Sequence, residues 1–207
     1  VKHYGFSNTP RSLGPAPERG VPATEAIHRK GRRICKSYPI QIDLCGIAKG
    51  YGVDVLAETM LQHGALNFMV TIDGELRCHG VPQSGQAWQV AIEAPIAGTR
   101  SAALVMPCED LAMASSGGYR NFDKTRSLTV THTIDPSTGL PLSDITTSVV
   151  VAHAECCDAD AWATALLVMA PRDAQRMIAK NSLNVLFLRR DGSQTVVEPH
   201  GQFSGVV

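Results

Sequence analysis

The sequence predicts an α+β fold, and three observations carry that expectation. Strand-like segments come in adjacent runs, the long helical segments lie between those runs, and residues 184–197 double back at Asp191-Gly192. Strands that follow one another directly pair antiparallel, whereas a doubly wound sheet needs a helix after every strand. At 207 residues, one domain with a sizeable core is expected.

The chain opens without methionine on strand-like or helix-end material at residues 1–6, and reads as a fragment whose upstream portion, with any export signal, has been removed. Residues 7–37 are rich in Pro, Gly, Ser and Arg and predict a loop with one short helix near residues 24–27. Residues 34–44 predict a strand pair punctuated by Pro39. The helix of residues 49–63 places Val53, Leu56, Ala57, Met60 and Leu61 on one apolar face, and Gly64 ends it. Residues 67–73 and 76–79 predict strands, joined at Asp73-Gly74-Glu75 by either a hairpin turn or a ligand-facing kink.

Residues 88–93 alternate Trp, Val and Ile with Gln, Ala and Glu, the period of a half-buried strand. Residues 101–106 and 110–114 are further strands, and the Ser-Gly segment 115–121 reads as a turn or as part of a site. Residues 146–152 form a β-branched strand buried on both sides. The apolar helix of residues 156–169 confines its acids to the first turn, with Asp158 as the expected N-cap. Pro171 starts a last helix, to residue 181.

Nineteen basic and nineteen acidic residues balance to zero net charge without a dense basic run, which argues against nucleic acid as a partner. The six cysteines show no Cys-x-x-Cys pair, so they read as small, reduced core residues. No apolar run is long enough to span a bilayer.

Three stretches carry candidate chemistry. Asp43-Leu-Cys-Gly-Ile-Ala-Lys-Gly-Tyr-Gly-Val-Asp54 sets bare backbone and Lys49 at the mouth of a helix, which is either an anion site or only a tight connection. His132-Thr-Ile-Asp-Pro-Ser-Thr-Gly-Leu-Pro141 is a turn locked by its prolines, and His132 is either its structural passenger or a catalytic base. Asp160 and Thr164, one turn apart on a helix face, either hold a hard cation such as Mg2+ or serve the helix itself.

Together with Gly74-Glu75, Ser116-Gly117-x-Tyr119 and Asp158-Ala-Asp-Ala-x-Ala-Thr-Ala165, these stretches resemble the ApbE family of FAD:protein FMN transferases, over about residues 40–170. The resemblance implies a T-fold-like α+β architecture, mainly antiparallel sheets with packed helices around a flavin cleft. It implies Mg2+-dependent transfer of FMN from FAD to a Thr or Ser hydroxyl of an acceptor protein, with release of AMP. FAD pyrophosphatase activity or non-catalytic flavin binding are the alternatives. By resemblance Gly46 (through its carbonyl), Asp160 and Thr164 are metal ligands, Asp43, Lys49 and Ile134 contact FAD, and His132 is the base. The family suggests a periplasmic or inner-membrane lipoprotein, with a cytoplasmic protein the other option, and membrane contact only through a lipid anchor upstream. Two residues depart from the family pattern: Cys45 stands where glycine is common, and Asp73 replaces the first glycine of Gly-Gly-Asp/Glu. A further hundred or so upstream residues, carrying part of the adenine and flavin pocket, are also expected in the family.

Overall fold

A computed structural model of the chain describes residues 21–40, 42–123 and 129–205. The opening segment 1–6 and the first part of the loop that follows lie outside these residues. The architecture is α+β, as the order of segments implies. Helix α1 (Ala23–Ala26) leads into a hairpin of β1 (Ile27–Lys30) and β2 (Arg33–Lys36). The strand expected to reach residue 44 stops at Lys36, and residues 42–44 carry no strand pairing. Helix α2 (Ala48–Gln62) follows, ended by Gly64 at φ +80°.

Next come β3 (Phe68–Ile72), β4 (Glu75–His79), β5 (Trp88–Glu93), β6 (Ala102–Cys108), β7 (Ala112–Gly117), β8 (Phe122–Asp123), β9 (Val130–Thr131) and β10 (Thr147–His153). Helices α3 (Cys156–Val168) and α4 (Pro171–Asn181), strands β11 (Asn184–Asp191) and β12 (Gln194–His200), and a 3-10 turn at Gly201–Gly205 close the chain. Six strands form one antiparallel sheet in the order β12-β11-β10-β7-β4-β3, while β1-β2, β5-β6 and β8-β9 are separate ribbons. The segment 115–121, read as a turn or a site, starts inside β7: Ser115, Ser116 and Gly117 pair with Val150, Val149 and Ser148 of β10.

Central strand β10 is buried along both faces, as its β-branched run predicts. Val150 and Ala152 meet Val90, Ile92 and Met106 of the β5-β6 ribbon on one face; Val149 and Val151 meet Ala159, Ala163 and Leu166 of α3 on the other. Each such valine or leucine contributes about 1.5–3 kcal/mol of burial.

Two expectations about the helices are corrected. Of the predicted apolar face of α2, Val53 and Ala57 are fully buried, but Leu56, Met60 and Leu61 are 44, 39 and 40 % exposed. The helix packs through the narrower strip Gly50, Val53, Asp54 and Ala57, so the second apolar stripe has no cover among the described residues. Asp158 is not the N-cap of α3, because the helix begins earlier and Glu155 takes that position without a side-chain cap bond. The first amides of α3 are instead bonded by Asp54 of α2: Oδ1 accepts from Cys156 N at 2.9 Å and Oδ2 from Cys157 N at 2.8 Å.

Helices α2 and α3 cross closely because Gly50 has no side chain. A Cβ at that position would lie 2.3 Å from the Cys156 carbonyl oxygen. Gly50→Ala is therefore expected to destabilise the fold by about 3 kcal/mol. Urea unfolding should show a lowered midpoint at unchanged slope.

Candidate functional site

One cleft of about 650 Å³ opens where β4, β7 and β10 meet the β5-β6 ribbon and the first turn of α2. Four of the seven sequence-predicted site residues, Lys49, His132, Asp160 and Thr164, line it. A fifth, Gly46, abuts it: a Cβ there would lie 3.4 Å from Thr164 Oγ1. Asp43 and Ile134 are not among the lining residues, although each stands two positions from one that is, Cys45 and His132. The Asp43 carboxylate accepts from Cys45 N at 2.8 Å and so shapes the turn into α2, while Ile134 pairs with Pro141 across the rigid loop.

The turn and the helix pair explain why these residues meet. Asp160 is 2 % exposed and accepts from Gly50 N at 3.0 Å, through Oδ2, in the first turn of α2. Each helix thus receives a side-chain acceptor from the other: Asp54 serves α3 and Asp160 serves α2. Asp160 Oδ1 makes no hydrogen bond among the described residues. Thr164 Oγ1 donates weakly to Ser116 Oγ at 3.5 Å. Neither expected structural role applies unchanged, since Thr164 does not bond back to a carbonyl of its own helix and Asp160 caps a neighbouring helix rather than its own.

Lys49 Nζ donates to Glu75 Oε1 at 2.7 Å. Of the Asp73-Gly74-Glu75 alternatives, the hairpin turn is the one observed, and it lines the cleft. Asp73 (φ +50°) and Gly74 (φ +108°) form the tight turn between β3 and β4, and all three residues face the cleft. Aspartate tolerates that left-handed backbone better than most side chains, which accounts for its standing where glycine is expected. Burial raises the Glu75 carboxyl above the usual glutamate range; Lys49 pulls it back in part and Asp160 pushes it further up. The folded state therefore binds this proton more tightly than the unfolded chain. Stability attributable to it is present below the ordinary value of 4.5 and is lost as pH rises through the folded value. Glu75→Gln should accordingly melt higher relative to the parent at pH 7 than at pH 5, read by thermal denaturation at both.

His132 is fixed by Asn121, whose carbonyl accepts from its backbone N at 3.1 Å and lies 3.2 Å from ring Nδ1. A carbonyl only accepts, so Nδ1 carries a proton, which in the neutral ring puts the lone pair on Nε2. The loop beyond is held as its prolines imply: Asp135 Oδ1 accepts from Ser137 N at 2.7 Å, and Gly139 sits at φ +72°. The expectation of core cysteines fits Cys78, Cys108 and Cys156, but Cys45 is exposed beside the cleft. Burial pushes the Cys156 thiol up to about 12, which keeps it protonated.

Sequence reading missed Asp54 and Arg77. Arg77 Nη1 bonds both Asp54 Oδ1 and Glu155 Oε2 at 2.8 Å, tying β4 to both helices. The placement of Asp54 one turn beyond Gly50 and three positions before Ala57 was the available signal.

An antiparallel sheet, a crossed helix pair and a polar cleft at their junction make this an α+β protein built around a ligand-sized cleft. The chain belongs to the ApbE family, whose family model matches residues 1–187. It is 36 % identical over 171 residues to the FAD:protein FMN transferase of Vibrio cholerae, covering 82 % of this chain and 51 % of that protein. The Haemophilus influenzae protein of the same name is 36 % identical over 172 residues, with coverage of 82 % and 50 %. The solved flavin transferase ApbE from Vibrio cholerae superposes with a TM-score of 0.82 at 32 % identity, over 99 % of this chain and 67 % of that one. The chain spans about half the length of the curated relatives it matches.

Proposed function

We propose that this chain carries the transfer site of an FAD:protein FMN transferase. The observation that carries the reading is the convergence of Lys49, His132, Asp160 and Thr164, from three separate segments, on one cleft. The Vibrio cholerae and Haemophilus influenzae proteins of that name support it. Further support comes from the cleft, which is large enough for part of a dinucleotide.

Residues here suit a hard cation. The buried carboxylates Glu75 and Asp160 face a single ammonium, Lys49, so the cluster has an excess of negative charge, and Asp160 has an oxygen to spare. Among the described residues no three His, Cys, Asp or Glu side chains gather as a metal cluster. A cation would thus be held by Asp160, Thr164 and the Gly46 carbonyl, a sparse oxygen set that suits Mg2+. When bound, Mg2+ would neutralise charge on the pyrophosphate.

In the reaction the acceptor Thr or Ser oxygen forms a bond to the FMN-side phosphorus. The bridging P–O bond breaks, and AMP leaves with the bridging oxygen. His132 Nε2 takes the hydroxyl proton and the Asn121 carbonyl keeps the imidazole in its basic tautomer, while Lys49 contacts FAD. Asp43 and Ile134 contact FAD from the turn and the rigid loop.

Incubation with FAD, Mg2+ and a flavin-acceptor domain should give a fluorescent acceptor band on a denaturing gel and one AMP per band. Free FMN and AMP without a fluorescent band would assign the site to hydrolysis instead. His132→Ala should lower kcat about 10²–10⁴-fold with FAD affinity unchanged.

A further inference from the structure

The Glu75 carboxylate takes part in none of these steps. It stands at the first position of β4, fixed by the turn before it and by its carbonyl, which accepts from the Thr71 hydroxyl at 2.9 Å. The side chain lines the cleft yet is 1 % exposed. Oε1 is taken by Lys49 at 2.7 Å, but Oε2 is buried with no hydrogen-bond partner among the described residues. A buried acceptor left in this way costs about 1–3 kcal/mol, more if charged. The strand, the turn and the ion pair all hold it in place nonetheless.

An ammonium donor and an unfilled carboxylate acceptor therefore stand side by side on the cleft wall. Phosphate oxygens can answer the first but not the second, because without a proton they only accept. We infer that Glu75 and Lys49 form a subsite for the edge of a nitrogen heterocycle with an N–H beside an acceptor atom: Oε2 takes the N–H, and the ammonium takes the acceptor. This inference rests on the flavin-dinucleotide reading of the cleft. FAD has two such edges, the imide of the isoalloxazine, whose N–H lies between carbonyls, and the amino edge of adenine. The negative charge of Asp160 close by favours a donor at Oε2 over an anion.

Binding to the full chain is measured by flavin fluorescence for FAD, FAD methylated at the flavin imide nitrogen, and FAD dimethylated at the adenine amino group. Each is titrated into the parent and Glu75→Gln. Glutamine keeps an oxygen for Lys49 and can set an NH2 where Oε2 was, so donor meets donor. The substitution should weaken FAD binding about tenfold or more without lowering the melting temperature. One methylated ligand should be weakened similarly on the parent but not further on the variant, and which one it is identifies the edge. The inference is overturned if all three ligands bind the parent within about twofold of one another, or if methylation weakens binding equally in both proteins. Should the variant fail to fold, the three affinities on the parent decide by the same criterion. A parent that binds no FAD overturns the flavin reading and this subsite with it.

Discussion

Replacement of Asp160 by alanine should abolish FMN transfer, with kcat/KM down at least about 10³-fold, while the protein remains folded. The size follows from removing the only carboxylate in the proposed cation site, where several kcal/mol of charge stabilisation at the phosphoryl group depend on it. The same change strips Gly50 N of its acceptor, so a loss of about 1–2 kcal/mol in stability accompanies it. Asp160→Asn separates the two effects. Its amide oxygen can still accept from Gly50 N, which keeps most of the stability, yet the neutral side chain should not restore transfer. Mn2+ titration followed by electron paramagnetic resonance checks the assignment directly. Parent-like Mn2+ affinity in Asp160→Ala would remove this residue from the cation site.

Asp54→Ala should have the largest effect on stability, about 4 kcal/mol. Its two oxygens serve the amides of Cys156 and Cys157 and the Arg77 guanidinium, and the carboxylate is only 8 % exposed. Alanine leaves buried amides without an acceptor and the part-buried Arg77 with Glu155 alone. Because Arg77 is a common partner, Arg77→Met should cost far less in the Asp54→Ala background than in the parent. Urea unfolding of the four proteins of that double-mutant cycle measures the difference. Additive losses would show that Arg77 and Asp54 act independently.

Much of the fold was legible because its signals are local. The alternation of residues 88–93, the β-branched run of β10, Pro171 at a helix start and the Gly192 turn each depend on neighbours a few positions away. Most of the cleft was legible for another reason: His132, Lys49, Asp160 and Thr164 are chemically conspicuous, and each lies in a stretch that resembles a family pattern. What stayed hidden depends on partners far along the chain. Apolar spacing on α2 fits two stripes, and only the arrival of α3 and β3 selects Val53 and Ala57 over Leu56 and Met60. Asp158 met the local rule for a cap, but Asp54, more than a hundred positions earlier, supplies the acceptors. The sequence left Glu75 between a hairpin turn and a ligand-facing kink, and its burial emerges only when Lys49 and the sheet close over it.

The exchange of acceptors between α2 and α3 bears on how the polypeptide could be divided. Neither helix start is complete in isolation, so a cut in the solvent-facing turn around residues 83–86 would yield two pieces, each lacking the acceptor its own helix needs. Such pieces should stay largely uncoiled apart and recover their circular dichroism only on mixing, which makes the chain a natural candidate for a split reporter.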